Sequence, residues 1–205
     1  MQINDCLFFN NSLDKYKRNF SSYNIKGNIV FGMKENFFVK SRNGHLLKDT
    51  FDKSKNTLDI CSSGLYPANV LSNMAHKPFV FENVECSSIE GFLQSLKVKD
   101  FEKQKEICKM LGGSAKKSSK KNSDWLKTQV LYWQGIEYNR QSDKFFNLIK
   151  RAFESCYNQN EIFQKALAST KGIKLTHSMG QNDKTKTILT TDEFIKILNE
   201  LRDTL

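Results

Sequence analysis

SSIEGFLQSLK, residues 87–97, carries the clearest structural pattern in the chain. Ile89, Phe92, Leu93 and Leu96 recur at the 3.6-residue period of an α-helix and share one apolar face. Glu90, Gln94 and Lys97 follow at i, i+4 and i+7 and form a separate polar stripe. Ser87 opens the helix, and Ser87-x-x-Glu90 is a capping-box sequence, in which the glutamate returns to the backbone N–H of the cap. A carboxylate in a first helical turn also suits acid–base work, and the spacing leaves both readings open.

Outward from this helix the chain alternates short strands with longer helices. PFVFENVE, residues 78–85, reads as a strand or hairpin leading into it. A second helix is expected from Asp100, ending at the Gly112-Gly113 glycine signal. KKSSKK at 116–121 then reads as a basic loop, either a solvated surface or a phosphate clamp. Ser123 caps a short segment holding Trp125, Tyr132 and Trp133. Helices are expected over residues 142–157, with Phe145, Leu148, Ile149, Ala152 and Phe153 inward, and over 161–169. Ile173 to His177 reads as a strand and Gly180 to Lys186 as a polar loop. Thr190 and Glu193 form a capping box for a last helix packing Phe194, Ile197, Leu198 and Leu201 inward.

Helices outnumber strands, so the class is α+β: a mainly helical single domain over residues 61–205 with a few short strands. Residues 1–60 read as a small N-terminal extension packed on it. This extension has β-like runs at Asn28 to Met33 and Phe37 to Lys40, with a turn signal at Asn43-Gly44.

Composition narrows the function classes. Of 205 residues 39% are hydrophobic, too many for a disordered chain, and nowhere do eighteen apolar residues run together as a bilayer span needs. Asn10, Asn11, Asp14, Lys15 and Lys17 interrupt any signal-peptide pattern, so a cytoplasmic location is expected. Five scattered cysteines (Cys6, Cys61, Cys86, Cys108, Cys156) with no C-x-x-C read as reduced thiols. His45, His76 and His177 lack ligand spacing, so no metal site is expected. A net charge of +10 favours a polyanionic partner, nucleic acid or a phosphorylated small molecule.

Leu71-Ser72-Asn73, then Pro78-Phe79, then Ser88-Ile89-Glu90 together resemble the NADAR (YbiA-like) N-glycosidase family. That family's signature runs as an LSN, a PF strand and a helix beginning S-x-E, with a lysine seven residues after the glutamate. Lys97 stands at that lysine's place. The helix around Arg151 to Phe163, followed by Leu167, Thr170 and Leu175, is similar to the family's KF…L…TG…L stretch. His177-Ser178 and Asp183 fall where the family has a polar cluster ending in an aspartate. The likeness covers about residues 65–203. Two departures stand out: Gly91 where many members have histidine, and Lys184-Thr185-Lys186-Thr187 where many have tryptophan-glycine after the aspartate. The run from Glu90 to Lys97 looks like a divergent branch of the kind seen in phage-encoded proteins, which implies a host-cytoplasmic location.

The resemblance implies hydrolysis of an N-glycosidic bond in an ADP-ribosyl or ribosylamine-type substrate, including ADP-ribosylated nucleic acid. It implies no cofactor. Glu90 is then the carboxylate facing the ribose in an oxocarbenium-like transition state, and Asp183 orients the ribose or serves as a second carboxylate. Ser72, Asn73, Lys97, Trp133 and His177 are the substrate-binding candidates: polar contacts from the loop, a phosphate or hydroxyl contact from Lys97, base stacking by Trp133, and a hydrogen bond from His177. The residues themselves also fit plainer roles. Asp183, Ser72 and Asn73 suit turns, Trp133 suits a core, and His177 suits a structural strand end. Two other classes stand beside the enzyme: a binding protein that keeps the pocket without the chemistry, and a viral accessory protein acting through its basic surface.

Overall fold

The structure, a computed structural model, describes the strand residues 23–25, 28–33 and 36–40 and residues 47–204. The first strands, β1 (Tyr23–Ile25), β2 (Asn28–Met33) and β3 (Asn36–Lys40), form an antiparallel sheet in that order. The β-like runs expected in the extension thus form strands, while Cys6, Asn43-Gly44 and His45 lie outside the described residues.

The remaining elements build one α+β body around a shared core. A second sheet has β5 (Thr57–Asp59) at its centre, flanked by β4 (Phe51–Asp52), antiparallel, and β10 (Lys174–Thr176), parallel. Thr176 lies opposite Asp59 in this register, so the sheet joins two ends of the chain at the residues that precede His177. Two hairpins supply the other strands. β6 (Phe79–Phe81) pairs with β7 (Val84–Cys86), and β8 (Val130–Trp133) pairs with β9 (Ile136–Asn139). Each hairpin turns on two residues of positive φ, Glu82-Asn83 and Gln134-Gly135. That conformation matches the twist of the flanking strands.

Helix α1 (Ala68–Leu71) precedes the LSN loop, and α2 (Ile89–Ser95) is the helix read from its period. Ile89, Phe92 and Leu96 are fully buried and Leu93 nearly so, as an amphipathic stripe requires. The cap is Ser88, one residue later than expected: its hydroxyl accepts the Gly91 N–H at 3.0 Å. Ser87 instead donates its hydroxyl to the Lys109 carbonyl at 2.8 Å, so the expected Ser87–Glu90 capping box does not form. Glu90 is left free of a capping duty.

Helix α3 (Phe101–Cys108) is capped by Asp100, as expected. Gly112-Gly113 do not end it; they begin α4 (Gly112–Ser118), which runs into a 3₁₀ turn at Ser119–Lys121. The expected basic loop is therefore helical. Its glycine is a matter of close approach: a Cβ on Gly112 would sit 2.7 Å from Met74 Cα and 3.2 Å from Glu90 Cβ. Gly91 is tight in the same way, because a Cβ there would meet the Cys108 carbonyl at 2.9 Å and the Met110 carbonyl at 3.0 Å. The histidine that many family members have at this position would not fit this packing.

Asp124 precedes the short α5 (Trp125–Thr128), after which the chain turns into β8, so Tyr132 and Trp133 are strand residues. Helices α6 (Asp143–Gln159), α7 (Glu161–Ala168) and α8 (Thr191–Asp203) fall where the periodicity predicts them, and α8 opens with the Thr190–Glu193 capping box. α2 packs against α3, α4 and α6, and the β6–β7 hairpin lies on α6.

Three polar anchors hold this body together. Glu82 accepts Trp133 Nε1–H at 2.7 Å and Arg151 at 2.5 Å, which joins the two hairpins to α6. Lys77, buried, donates to the Val70 and Ser72 carbonyls at 2.9 Å each and thereby folds the LSN loop. Burial pushes its ammonium down to about 8. Arg140, 1% exposed, makes a two-pronged ion pair with Glu193. Cys61, Cys86, Cys108 and Cys156 are free thiols. No helix is long and apolar enough to cross a membrane among the described residues, nor do they hold a cluster of metal-ligating side chains.

Candidate active site

The polar stripe of α2 opens into a cavity of about 310 Å³, and Glu90, Gln94 and Lys97 line one wall of it. Glu90 is held at both its backbone and its side chain. Its backbone N–H donates to the Asn73 carbonyl at 2.9 Å, and its Oε1 accepts Gln94 Nε2–H at 2.8 Å. Gln94 is itself oriented by the buried Ser119, whose hydroxyl donates to Gln94 Oε1. With its amide oxygen taken, Gln94 can present only its N–H to the carboxylate. One oxygen of Glu90 is therefore an acceptor held in place, and Oε2 stays available to a ligand or a water.

Asn73 lines the same cavity, and its Oδ1 is a buried acceptor with no partner among the described residues. Such an atom costs free energy until a donor reaches it. A ligand hydroxyl or amino group is a donor of the right kind. Lys97 and Lys116 add positive charge. Burial pushes the Lys97 ammonium below the usual lysine range and Lys116 adds to this, while Glu90 opposes both.

The facing wall comes from the far end of the chain. His177 donates from Nδ1 to the Ile60 carbonyl at 2.7 Å, because a carbonyl can only accept. In the neutral tautomer this bond selects, the lone pair is on Nε2. Phe194 supports this ring edge-on at 5.2 Å. Lys186 through Thr190 complete the wall. They are held by Arg140, whose Nε donates to the Thr187 carbonyl at 2.8 Å, and by the capping box. The N-terminal amides of α8 are all occupied: Thr191 N–H by the Gln181 carbonyl, Asp192 N–H by Asn182 Oδ1, and Glu193 N–H by Thr190 Oγ1. Positive charge in the cavity thus comes from side chains and not from a helix end.

Of the residues singled out from sequence, the fold brings Glu90, Asn73, Lys97 and His177 to one cavity. Three others do not line it. Trp133 is 1% exposed, stacked on Phe81 at 5.7 Å and edge-on to Phe92 at 5.1 Å, so it is a core residue and has no face for a base. The aromatic side chains on the cavity lining are Trp125 and Phe194. Asp183 closes its own turn: its Oδ1 accepts Thr185 N–H at 2.9 Å and the Thr185 hydroxyl at 2.6 Å, and its Oδ2 pairs with Lys186 at 3.0 Å. Those partners hold its carboxyl down at about 2. Ser72 accepts Met74 N–H at 3.3 Å in a local turn. Gln94, Lys116, Trp125 and Lys186 were not singled out as binding residues. Only the polar stripe and the basic run hinted at the first two.

Gly112→Ala tests how tightly this wall is built. The new methyl would stand 2.9 Å from the Met74 carbonyl, so the Asn73–Met74 loop must move off Glu90. Overpacking of this kind costs about 1–3 kcal/mol. Urea denaturation should show that loss, and an unchanged midpoint would mean that the loop is slack.

Fold and site together define an α+β protein with a pocket in which, among the described residues, one carboxylate is set among lysines. The chain belongs to the bacteriophage protein GP30.3 family, whose model matches residues 65–203. It is 37% identical over 149 residues to the uncharacterized 17.1 kDa protein in the Gp30-rIII intergenic region of Enterobacteria phage T4, a match covering 72% of this chain and 98% of that one. The phage-type branch suggested by residues 90–97 agrees with both. Among solved structures it is similar to the E. coli protein YbiA, with a TM-score of 0.47 and 16% identity over 67% of this chain and 78% of that chain.

Proposed function

We propose that this cavity hydrolyses the N-glycosidic bond of a phosphorylated ribosyl substrate, of the ADP-ribosyl or ribosylamine type, in the cytoplasm of the host. The observation that carries the reading is Glu90: among the described residues it is the one carboxylate on the lining, held by Gln94 and accompanied by Lys97, Lys116 and Lys186. N-glycosidic cleavage develops positive charge on the ribose, which a fixed carboxylate stabilises. The C–N bond breaks with its electron pair going to the leaving nitrogen. Water then adds to the anomeric carbon and gives its proton to Glu90 Oε2, while the leaving nitrogen takes a proton from solvent or from Lys97. Asn73 Oδ1 receives a ribose hydroxyl, and the lysines hold phosphate.

The experiment is calorimetric titration with ADP-ribose, followed by a hydrolysis assay on ADP-ribosylated DNA. Binding with turnover supports the enzyme, and absence of binding removes the reading. A second reading is favoured by the position of Asp183: with its carboxylate spent in a turn, no second acid from the loop reaches the cavity. ADP-ribose binding without turnover would identify a binding protein that keeps the pocket alone.

A further inference from the structure

Between Glu106 and Asp124 the chain has no acidic residue. Within that stretch Lys116, Lys117, Lys120 and Lys121 are all exposed, while Gly112, Ala115 and Ser119 turn inward. Several lysines elsewhere meet carboxylates, as in Lys99–Glu137 at 3.3 Å, Lys109–Glu85 at 3.1 Å and Lys150–Glu200 at 2.7 Å, and no other described stretch of six residues carries four that do not. The four on this run pair with no carboxylate among the described residues. They are also rigidly mounted. Ser119 is tied to Gln94, and Gly112 is wedged against Met74 and Glu90. The charge is therefore a fixed ridge, and Lys116 belongs both to it and to the lining of the cavity.

We propose that this ridge is the docking surface for a single-stranded polynucleotide, whose phosphates lie along Lys116 to Lys121 and whose end or unstacked nucleotide enters the cavity past Lys116. From Lys116 to Lys121 the helical and 3₁₀ rises add to about 9 Å, the reach of two to three phosphates of one strand. A duplex would have to surrender its base from the stack before the cavity could take it, whereas a single strand presents it directly. Met179, on the cavity lining and 79% exposed, offers a polarisable apolar contact to such a base. The ridge rests on the glycosidase reading only for what enters the cavity; its own case is the unpaired charge.

The test is fluorescence anisotropy of a labelled, unmodified single-stranded oligonucleotide with the full chain across a salt series. Each phosphate contact on a single strand contributes about −0.7 to the slope of log K against log salt, so Lys117→Ser/Lys120→Ser/Lys121→Ser should flatten the slope by about 2 and weaken binding by about tenfold or more near 0.1 M salt. Affinity for free ADP-ribose should not change, since those three side chains do not line the cavity. A control with Lys103, Lys144 and Lys171 changed to serine removes the same charge elsewhere and should keep the wild-type slope. The ridge is overturned if the triple variant keeps wild-type affinity and slope, or if the control loses as much. Wild-type protein that ignores the oligonucleotide but binds phosphatidylserine vesicles would overturn it too. Oligonucleotide binding that persists where ADP-ribose binding is absent would sink the glycosidase reading and leave the ridge standing.

Discussion

Glu90→Gln is expected to lower hydrolysis of ADP-ribosylated DNA by about 10²–10⁴-fold, the usual contribution of a positioned acid–base group. The substitution is nearly isosteric, and the new amide oxygen can still accept Gln94 Nε2–H, so the hydrogen-bond chain from Ser119 survives. What disappears is the negative charge opposite the developing oxocarbenium ion and the oxygen that takes a proton from water. Affinity for ADP-ribose should hold or rise, because a carboxylate that repels phosphate has gone while Lys97 and Lys116 remain. Single-turnover kinetics beside calorimetry separate the two effects. Unchanged hydrolysis with unchanged binding would remove Glu90 from the chemistry.

Arg140→Ala is expected to cost about 3 kcal/mol in urea denaturation, the low end of the penalty for breaking a buried ion pair, because Lys184 still reaches Glu193 at 3.2 Å. Both guanidinium prongs reach Glu193, at 3.2 and 2.6 Å, and a third N–H reaches the Thr187 carbonyl. The double variant Arg140→Ala/Glu193→Ala should cost clearly less than the sum of the two single changes, since neither charge is then stranded. Acid makes a second readout. Burial works against the Glu193 charge, but Arg140, Thr190 N–H and Lys184 outweigh it and hold the carboxyl down at about 2. A folded-state value below the unfolded one gives stability that is present above about pH 4.5 and lost as pH falls toward 2. That acid slope should shrink in Arg140→Ala. A slope equal to wild type would assign the depressed value to other neighbours. Because Arg140 also holds Thr187, the variant should lose ADP-ribose affinity where it still folds.

Glu90 and Trp133 differ in how much of their role is local. The stripe of Glu90, Gln94 and Lys97 was legible because a helix places i, i+4 and i+7 on one side whatever surrounds it. The capping box at Thr190 and Glu193 was legible for the same reason: both partners lie within one turn. Trp133 carries two readings in sequence, base stacking and core, and only the Glu82 hairpin and Phe92 decide for the core. Ser87 and Ser88 are equally good caps. The contact of Ser87 with Lys109, twenty-two residues on, left the task to Ser88.

The glycines show the same limit. Gly112-Gly113 carries a helix-stop signal by composition, yet close approach to Met74 and Glu90 turns it into a helix start. Asp183 sits in a loop that reaches the cavity, but Thr185 and Lys186 claim its carboxylate.

Periods and caps that act within a few residues specify the α+β class, the main helices and the polar stripe that carries Glu90. Tertiary structure alone decided which candidates share a cavity. Pairing of β5 with β10 and the Arg140–Glu193 ion pair bring residues 177–190 to face residues 73–97, across separations that no local pattern encodes. Local partners, Thr185 and Lys186, consume Asp183, while the long-range contact of Ser87 with Lys109 leaves Glu90 free of the cap and on the cavity.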